Sequence, residues 1–212
     1  MENTKHHFQA LKTLACAAAT AALALFAVAA QAAPVNLALA SNGSEATQSS
    51  TYNTRHDGMV PNAGQAIDGN TDGDWYGVST ITHTQLESQP WWQVSLGAGA
   101  ALIKEIDIWN RTDCCSNRLN DFNVTVLRGG NVVWQSLNNS WLSALPEAIF
   151  DIPSVIGDTV RISLNRTDYL SLAEVQVWGT TASAVPEPGS LALVGLGLGA
   201  VGLSRRRGNR PA

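Results

Sequence analysis

Three observations predict an all-β fold, an antiparallel β-sandwich of jelly-roll type, for the middle of this 212-residue chain. Short runs alternate apolar and polar residues, as in Phe122-Asn123-Val124-Thr125-Val126 and Val160-Arg161-Ile162-Ser163-Leu164. Gly, Asn and Asp punctuate these runs, most plainly at Arg128-Gly129-Gly130-Asn131. No window of the middle segment carries the 3.6-residue period of an amphipathic helix. Many short strands without helices bury their apolar faces by packing sheet on sheet. Roughly 145 residues are enough for a substantial core.

Taken in order, Val35 to Ala40 alternates briefly and predicts an edge strand, followed by Ser/Asn/Gly/Thr-rich sequence to Tyr52. Arg55 to Gly64 is turn-like, and Ala66-Ile67-Asp68-Gly69-Asn70 leads to Trp75-Tyr76 and to Thr80-Ile81-Thr82-His83-Thr84. Pro90 to Gly97 reads as a strand entered through a proline. Leu102 to Trp109 is a strand with Ile106 and Ile108 on one face. Phe122 to Leu127 follows, and the Gly129-Gly130 hairpin turns it into Val132-Val133-Trp134. Val160 to Leu164 and a last strand through Val175 and Val177, closing at Trp178-Gly179, complete the set. Most of the tryptophans suit core or sheet-edge positions.

The flanks differ in composition from this middle. Lys5 and Lys12, an apolar run from Leu14 to Ala30, and the small-x-small site Ala30-Gln31-Ala32 read as a secretory signal peptide over residues 1–32. A body of 33–180 then gives way to a tail of 181–212: Val185-Pro186-Glu187-Pro188, an apolar glycine-rich stretch from Ser190 to Leu203, and Arg205-Arg206-Arg207. Fourteen helical residues would rise only about 21 Å, short for a bilayer core of about 30 Å. The arginines would stay cytoplasmic by the positive-inside rule. A motif, a short apolar stretch and a basic end follow the plan of removable sorting tails.

Charge narrows the partners. Residues 35–180 hold fifteen Asp/Glu and seven Lys/Arg, an acidic balance that argues against nucleic acid and anionic membrane surfaces. Within it, Arg111-Thr112-Asp113-Cys114-Cys115-Ser116-Asn117-Arg118 concentrates two arginines, a carboxylate and adjacent cysteines. Loss of Cys16 with the signal leaves only Cys114 and Cys115, in an oxidising compartment. They can bond to each other, bond to another chain, or stay free thiols. Neighbouring Cα atoms lie about 3.8 Å apart, so a bond between them closes a tight ring.

Such a loop suits a neutral sugar, whose hydroxyls need placed donors and acceptors and whose ring face needs an apolar surface. Arg111 and Arg118 offer rigid N–H forks. Asp113, between them, is placed to neutralise and orient both guanidinium groups. His83 adds a ring nitrogen. A Cys114–Cys115 ring offers the apolar patch, and Trp75 and Tyr76 can wall off a methyl or a ring face. Read from these residues alone, a surface salt-bridge cluster is the other explanation.

The ordered set NLAL, ATQSSTY, AIDGN, THT, PWWQVSLG, WNRTDCCSNRL and LSLAEVQVWG resembles the F-type lectins, the fucolectin branch of the discoidin-like (F5/8 type C) domains, from about Val35 to Gly179. Their hallmark is a His, about two dozen residues, then R-x-D with two cysteines and a closing basic residue; here these are His83, Arg111, Asp113, Cys114, Cys115 and Arg118. The resemblance implies recognition of L-fucose. His83, Arg111 and Arg118 would hydrogen-bond hydroxyls and ring oxygen, a vicinal disulfide would pack on the ring, and Trp75 and Tyr76 would sit near the C6 methyl. His56 would reach a neighbouring sugar. It also implies one structural Ca²⁺, held by Gln65 (backbone), Asp68, Asn70, Thr80, Ala173 (backbone) and Glu174, the six-to-eight-oxygen shell this ion takes. Glu174 is the clearest sign of it in the residues themselves, since a charge in an apolar strand wants a partner.

Three departures stand out. The interval from His83 to Arg111 is one residue longer than is common. Ile81 and Ala173 stand where the family often has a second disulfide, so both partners are lost together. Ser95 replaces the usual Asp of the PWWQVDLG segment, away from the sugar contacts. The tail is similar to the PEP-CTERM signal of Gram-negative bacteria that make extracellular polysaccharide, which implies processing by an exosortase and residence at the envelope, surface or matrix.

Two other classes compete. One is a structural exopolysaccharide-matrix protein without a selective sugar pocket. The other is a glycosidase, which needs paired carboxylates across a cleft. Asp113 alone stands near the candidate site, flanked by arginines that keep it ionised, so no enzyme is expected.

Overall fold

Among the described residues of the computed structural model (32–53, 57–76, 81–141 and 147–181) the chain forms strands and short 3-10 turns. The signal segment before Ala32, the tail after Thr181, His56 and Thr80 lie outside the described residues. The strands are β1 (Val35–Asn36), β2 (Glu45–Gln48), β3 (Glu87–Ser88), β4 (Trp91–Ser95), β5 (Ala101–Asn110), β6 (Phe122–Arg128), β7 (Asn131–Asn139), β8 (Glu147–Gly157), β9 (Thr159–Leu164), β10 (Thr167–Asp168) and β11 (Leu172–Thr181). They pair antiparallel into a four-stranded sheet, β1-β11-β5-β8, a five-stranded sheet, β2-β4-β9-β6-β7, and a small β10-β3 ladder. This is the all-β sandwich expected from the alternation.

Each inward face is the apolar half of an alternating run. Trp92 and Val94 of β4, Val124 and Val126 of β6, and Val160 and Ile162 of β9 share one buried cluster with Ile103, Ile106 and Ile108 of β5 and Val175 and Val177 of β11. A register shift between Ile103 and Glu105 resets the alternation, so all three isoleucines stay inside. The Trp92 indole, fully buried, donates to the Ala63 carbonyl at 2.9 Å, which satisfies its one polar atom. β1 pairs only with β11, as an edge strand should.

Strand β8 was not foreseen, and the reason is local. It is an edge strand, exposed or half-buried at all but two of its eleven residues, with Pro153 inside it and Ser154 at φ 47°. A proline and a broken alternation hide a strand from a period-two search.

Backbone pairing outside the sheets builds one end of the sandwich. Thr82 N–H and Thr84 N–H donate to Leu172 and Leu170 carbonyls, and the two threonine hydroxyls accept from the N–H groups of Leu172 and Leu170. Tyr52 N–H donates to the His83 carbonyl at 2.7 Å. His83 therefore lies between two chain segments. Gly73 brings another loop onto the end of β5: its carbonyl accepts from Thr112 N–H, and a Cβ there would collide with the Asn110 carbonyl oxygen. That close approach seats Trp75 beside Arg111. Among the described residues, no helix is long and apolar enough to cross a membrane.

Candidate functional site

β5 ends at Asn110, whose side chain caps the turn that follows. Its Oδ1 accepts from Arg111 N–H at 2.8 Å, and its Nδ2 donates to the Ser116 carbonyl at 2.9 Å. Between these anchors Cys114 and Cys115 form a vicinal disulfide, with Cα atoms 3.8 Å apart. Of the fates open to the two cysteines, pairing with each other is the one observed. Cys115 takes a left-handed φ of 60°, which folds the chain into the 3-10 turn Ser116–Arg118.

The resulting pocket, about 270 Å³, is lined by Tyr52, Trp75, Tyr76, His83, Arg111, Cys114, Cys115, Arg118 and Tyr169. That is at or just below the ~300–1,000 Å³ of sites for drug-sized ligands. His83, Arg111 and Arg118 thus meet in one pocket, beside the disulfide, Trp75 and Tyr76. The longer His83–Arg111 interval does not separate them, because His83 is held by its own backbone bonds.

Arg111 is 5% exposed and gives Nε and Nη2 to the two oxygens of Asp113, at 2.7 and 2.8 Å. Its guanidinium lies 5.1 Å from the Trp75 ring centroid. Burial alone would raise the Asp113 carboxyl, but the hydrogen bonds and charge of Arg111 and the Trp75 N–H outweigh it and hold the pKa below the ordinary value. The sequence assigned Asp113 to both arginines. That is corrected here: both Asp113 oxygens serve Arg111, while Arg118 pairs with Asp168, Nε to Oδ1 at 3.9 Å, and stacks 4.6 Å over Tyr169. Arg111 and Asp113 have one residue, Thr112, between them, and both Asp113 oxygens are already taken by Arg111.

His83 is 4% exposed and ringed by Tyr52, Trp75 and Tyr169 at centroid distances of 4.8, 5.0 and 5.2 Å. Its Nδ1 is 2.7 Å from the Thr84 carbonyl oxygen, an acceptor only, so Nδ1 carries the hydrogen and Nε2 is left as an acceptor. Burial lowers its pKa most; the Thr84 hydrogen bond opposes this, and the charges of Arg111 and Arg118 lower it further, to about 4 from 6.5. The folded protein therefore binds fewer protons than the unfolded one between these values. The stability this group contributes is complete above pH 6.5 and is lost as pH falls toward 4. We expect unfolding in urea to show about 3 kcal/mol less stability at pH 4 than at pH 6.5 from this residue, read as the difference in pH slope between the wild type and His83→Gln. Equal slopes would contradict it.

The other expected cluster lies at the start of β11. Glu174 is fully buried, its Oε1 accepts from Gly69 N–H at 3.2 Å, and its Oε2 has no hydrogen-bond partner among the described residues. Burial first, then the neighbouring Asp68 carboxylate, pushes its pKa up to about 8. Asp68 is itself raised by burial. Asp68 Oδ1 accepts from Asn70 N–H at 2.8 Å, and the Gln65 Oε1 is another buried oxygen without a partner. No three His, Cys, Asp or Glu side chains gather as a metal group among the described residues, so a cation here would need carbonyl ligands as well. An orphaned carboxylate oxygen beside a second carboxylate fits a hard cation. Ile81 and Ala173, both at zero exposure, pack with Trp75 in a small cluster, so an apolar contact stands where a disulfide would have been.

Sequence reasoning missed Tyr52 and Tyr169. Each sits in a segment of ordinary composition, and only the fold brings them to His83.

Residues 65–162 match the family described as NedA-like, galactose-binding domain, of the F5/8 type C group, and residues 184–207 match the PEP-CTERM protein-sorting motif. The fucolectin of Anguilla anguilla is 31% identical over 63% of this chain and 85% of its own length; fucolectin-4 of Anguilla japonica is 32% identical over 62% and 74%. The chain belongs to the fucolectin family. For this fucolectin-family chain a solved likeness is the lectin domain of lectinolysin complexed with Lewis b antigen, 33% identical with a TM-score of 0.61, covering 69% of this chain and 97% of that one. The sorting motif marks the fucolectin-family chain for export to a bacterial surface or the space beyond it.

Proposed function

We propose that the chain is an exported, non-enzymatic lectin that binds L-fucose or fucosylated glycans through His83, Arg111 and Arg118. The convergence of these three side chains on one pocket beside the Cys114–Cys115 ring carries the reading. Their hydrogen-bonding roles are complementary. His83 Nε2 accepts a hydrogen from a sugar hydroxyl, while the arginines donate to hydroxyl and ring oxygens. The disulfide supplies a flat apolar contact for the ring, and Trp75 and Tyr76 flank the methyl. Asp113 holds Arg111 in place and keeps its charge, a commitment that suits it to orienting and not to general-acid work.

A structural calcium belongs to this proposal. Asp68, Asn70 and Glu174, with the Gln65 and Ala173 carbonyls and Thr80, would hold it. The ion would neutralise the buried carboxylates and tie the 65–70 loop to β11. The tail would be processed by an exosortase in the envelope of a Gram-negative cell, leaving the lectin at the surface or in an exopolysaccharide matrix.

The deciding experiment is calorimetric titration of the full chain with L-fucose and, separately, galactose. Saturable binding of fucose in preference to galactose is expected. A flat fucose titration would leave the matrix-protein reading, and a galactose preference would assign the pocket to another sugar.

A further inference from the structure

The two arginines of the pocket are held by different means. Arg111 is clamped side-on, through Nε and Nη2, by the Asp113 carboxylate. Arg118 is 3.9 Å from Asp168, too far for a hydrogen bond, and its side chain is 30% exposed. What aims it lies behind it. Arg166 Nη2 donates to the carbonyl of Arg118 itself at 3.0 Å, to the Asn117 carbonyl at 3.2 Å and to Asp168 Oδ2 at 2.9 Å. Arg166 Nε adds a second bond to that Oδ2 at 3.1 Å. The other Asp168 oxygen accepts from Tyr169 N–H at 2.8 Å, and the Tyr169 ring is the one Arg118 lies over. The Arg118 N–H is meanwhile bonded to the Cys115 carbonyl. The backbone of Arg118 is thus pinned on both sides, and its side chain lies between a carboxylate and an aromatic face set by the same two residues.

We infer that Arg166 and Asp168 form a brace that sets Arg118 for the sugar, which makes Arg166 a positioning residue although it does not line the pocket. The inference rests on the fucose-binding reading of that pocket. An exposed ion pair such as Arg166–Asp168, with side chains 34% and 24% exposed, adds ~0–1 kcal/mol to stability. A merely structural role therefore gives a small change in melting and none in affinity, whereas a brace gives the reverse.

The test is calorimetric titration of the full chain with L-fucose for the wild type, Arg166→Gln, Arg166→Lys, Asp168→Asn, Arg118→Lys and the double variant Arg118→Lys/Arg166→Gln, with thermal midpoints for each. We expect Arg166→Gln to weaken fucose about tenfold with its midpoint nearly unchanged, since misaimed binding groups lose much of their effect. Arg166→Lys, which keeps charge and one donor direction, recovers part of the loss. In the Arg118→Lys background the added Arg166→Gln change costs less than about twofold, because coupled residues do not add. Asp168→Asn weakens binding in the same direction, so poor folding of one variant does not hide the effect. Wild-type affinity in Arg166→Gln, or penalties that multiply in the double variant, overturns the brace while the sugar site stands. If the wild type itself ignores fucose, the reading of the pocket fails and the brace fails with it.

Discussion

Arg111→Ala is expected to remove measurable fucose binding from the full chain. Two losses combine. The sugar loses a guanidinium whose direction is set by two short bonds to Asp113. The Asp113 carboxylate, only 11% exposed, loses its counter-charge. A charge-assisted hydrogen bond of this kind is worth about 1.5–3 kcal/mol, which corresponds to roughly ten- to a hundredfold in affinity. Leaving its buried partner unpaired adds a destabilisation on the order of 3 kcal/mol, seen as a lower urea midpoint. Arg111→Lys separates the two effects. It keeps a cation near Asp113 but not the fork, so stability returns in part and fucose binding does not. Wild-type titration curves from Arg111→Lys would rule out the role given to this residue.

Chelation is expected to produce the second large effect, on stability. Glu174 has a folded-state pKa raised from 4.5 to about 8 in the absence of a cation. Without calcium the folded protein holds a proton here that the unfolded chain releases. The stability this group contributes is complete below pH 4.5 and is lost as pH rises through 8. With a divalent cation paired to the carboxylate, that slope disappears. Urea unfolding in excess chelator is therefore expected to match the calcium sample near pH 5 more closely than at pH 8, where the gap reaches on the order of 4 kcal/mol. Glu174→Gln removes both the calcium response and the slope. Identical curves with calcium and chelator at pH 8 would argue that no cation binds at Asp68 and Glu174.

How much of this was legible beforehand depends on whether the signal was local. The strands of the core were, because Trp92-Val94, Ile106-Ile108, Val124-Val126 and Val160-Ile162 each put apolar residues two apart and bury them together. The Arg111–Arg118 loop was legible because charge and sulfur crowd into eight residues of an acidic chain. His83 needed the family resemblance, since a lone histidine between two threonines has no chemical signature of its own. The partner of Arg118 was misassigned: a carboxylate near in sequence was chosen over Asp168, fifty residues on, which lies in β10 where that strand pairs with β3. Tyr52 and Tyr169 were missed for the same reason. Their role comes from the pairing of Thr82–Thr84 with Leu170–Leu172 and of Tyr52 with His83, long-range contacts that no window of the sequence displays.

The bond between His83 Nδ1 and the Thr84 carbonyl has a consequence for what the pocket refuses. Two guanidinium groups alone would welcome any small anion, a carboxylate, sulfate or phosphate ester as readily as a hydroxyl. The locked tautomer leaves the lone pair on Nε2 of a ring that lines the same pocket. An anionic oxygen brought to Nε2 meets electron density with electron density and has no hydrogen to offer, while a neutral hydroxyl can give to the imidazole and receive from an arginine at once. Because the ring pKa lies near 4, ordinary acidification does not reverse this polarity. On the proposed sugar-binding role, the backbone of one threonine would bias a cationic cavity toward uncharged ligands, a discrimination by repulsion as much as by attraction.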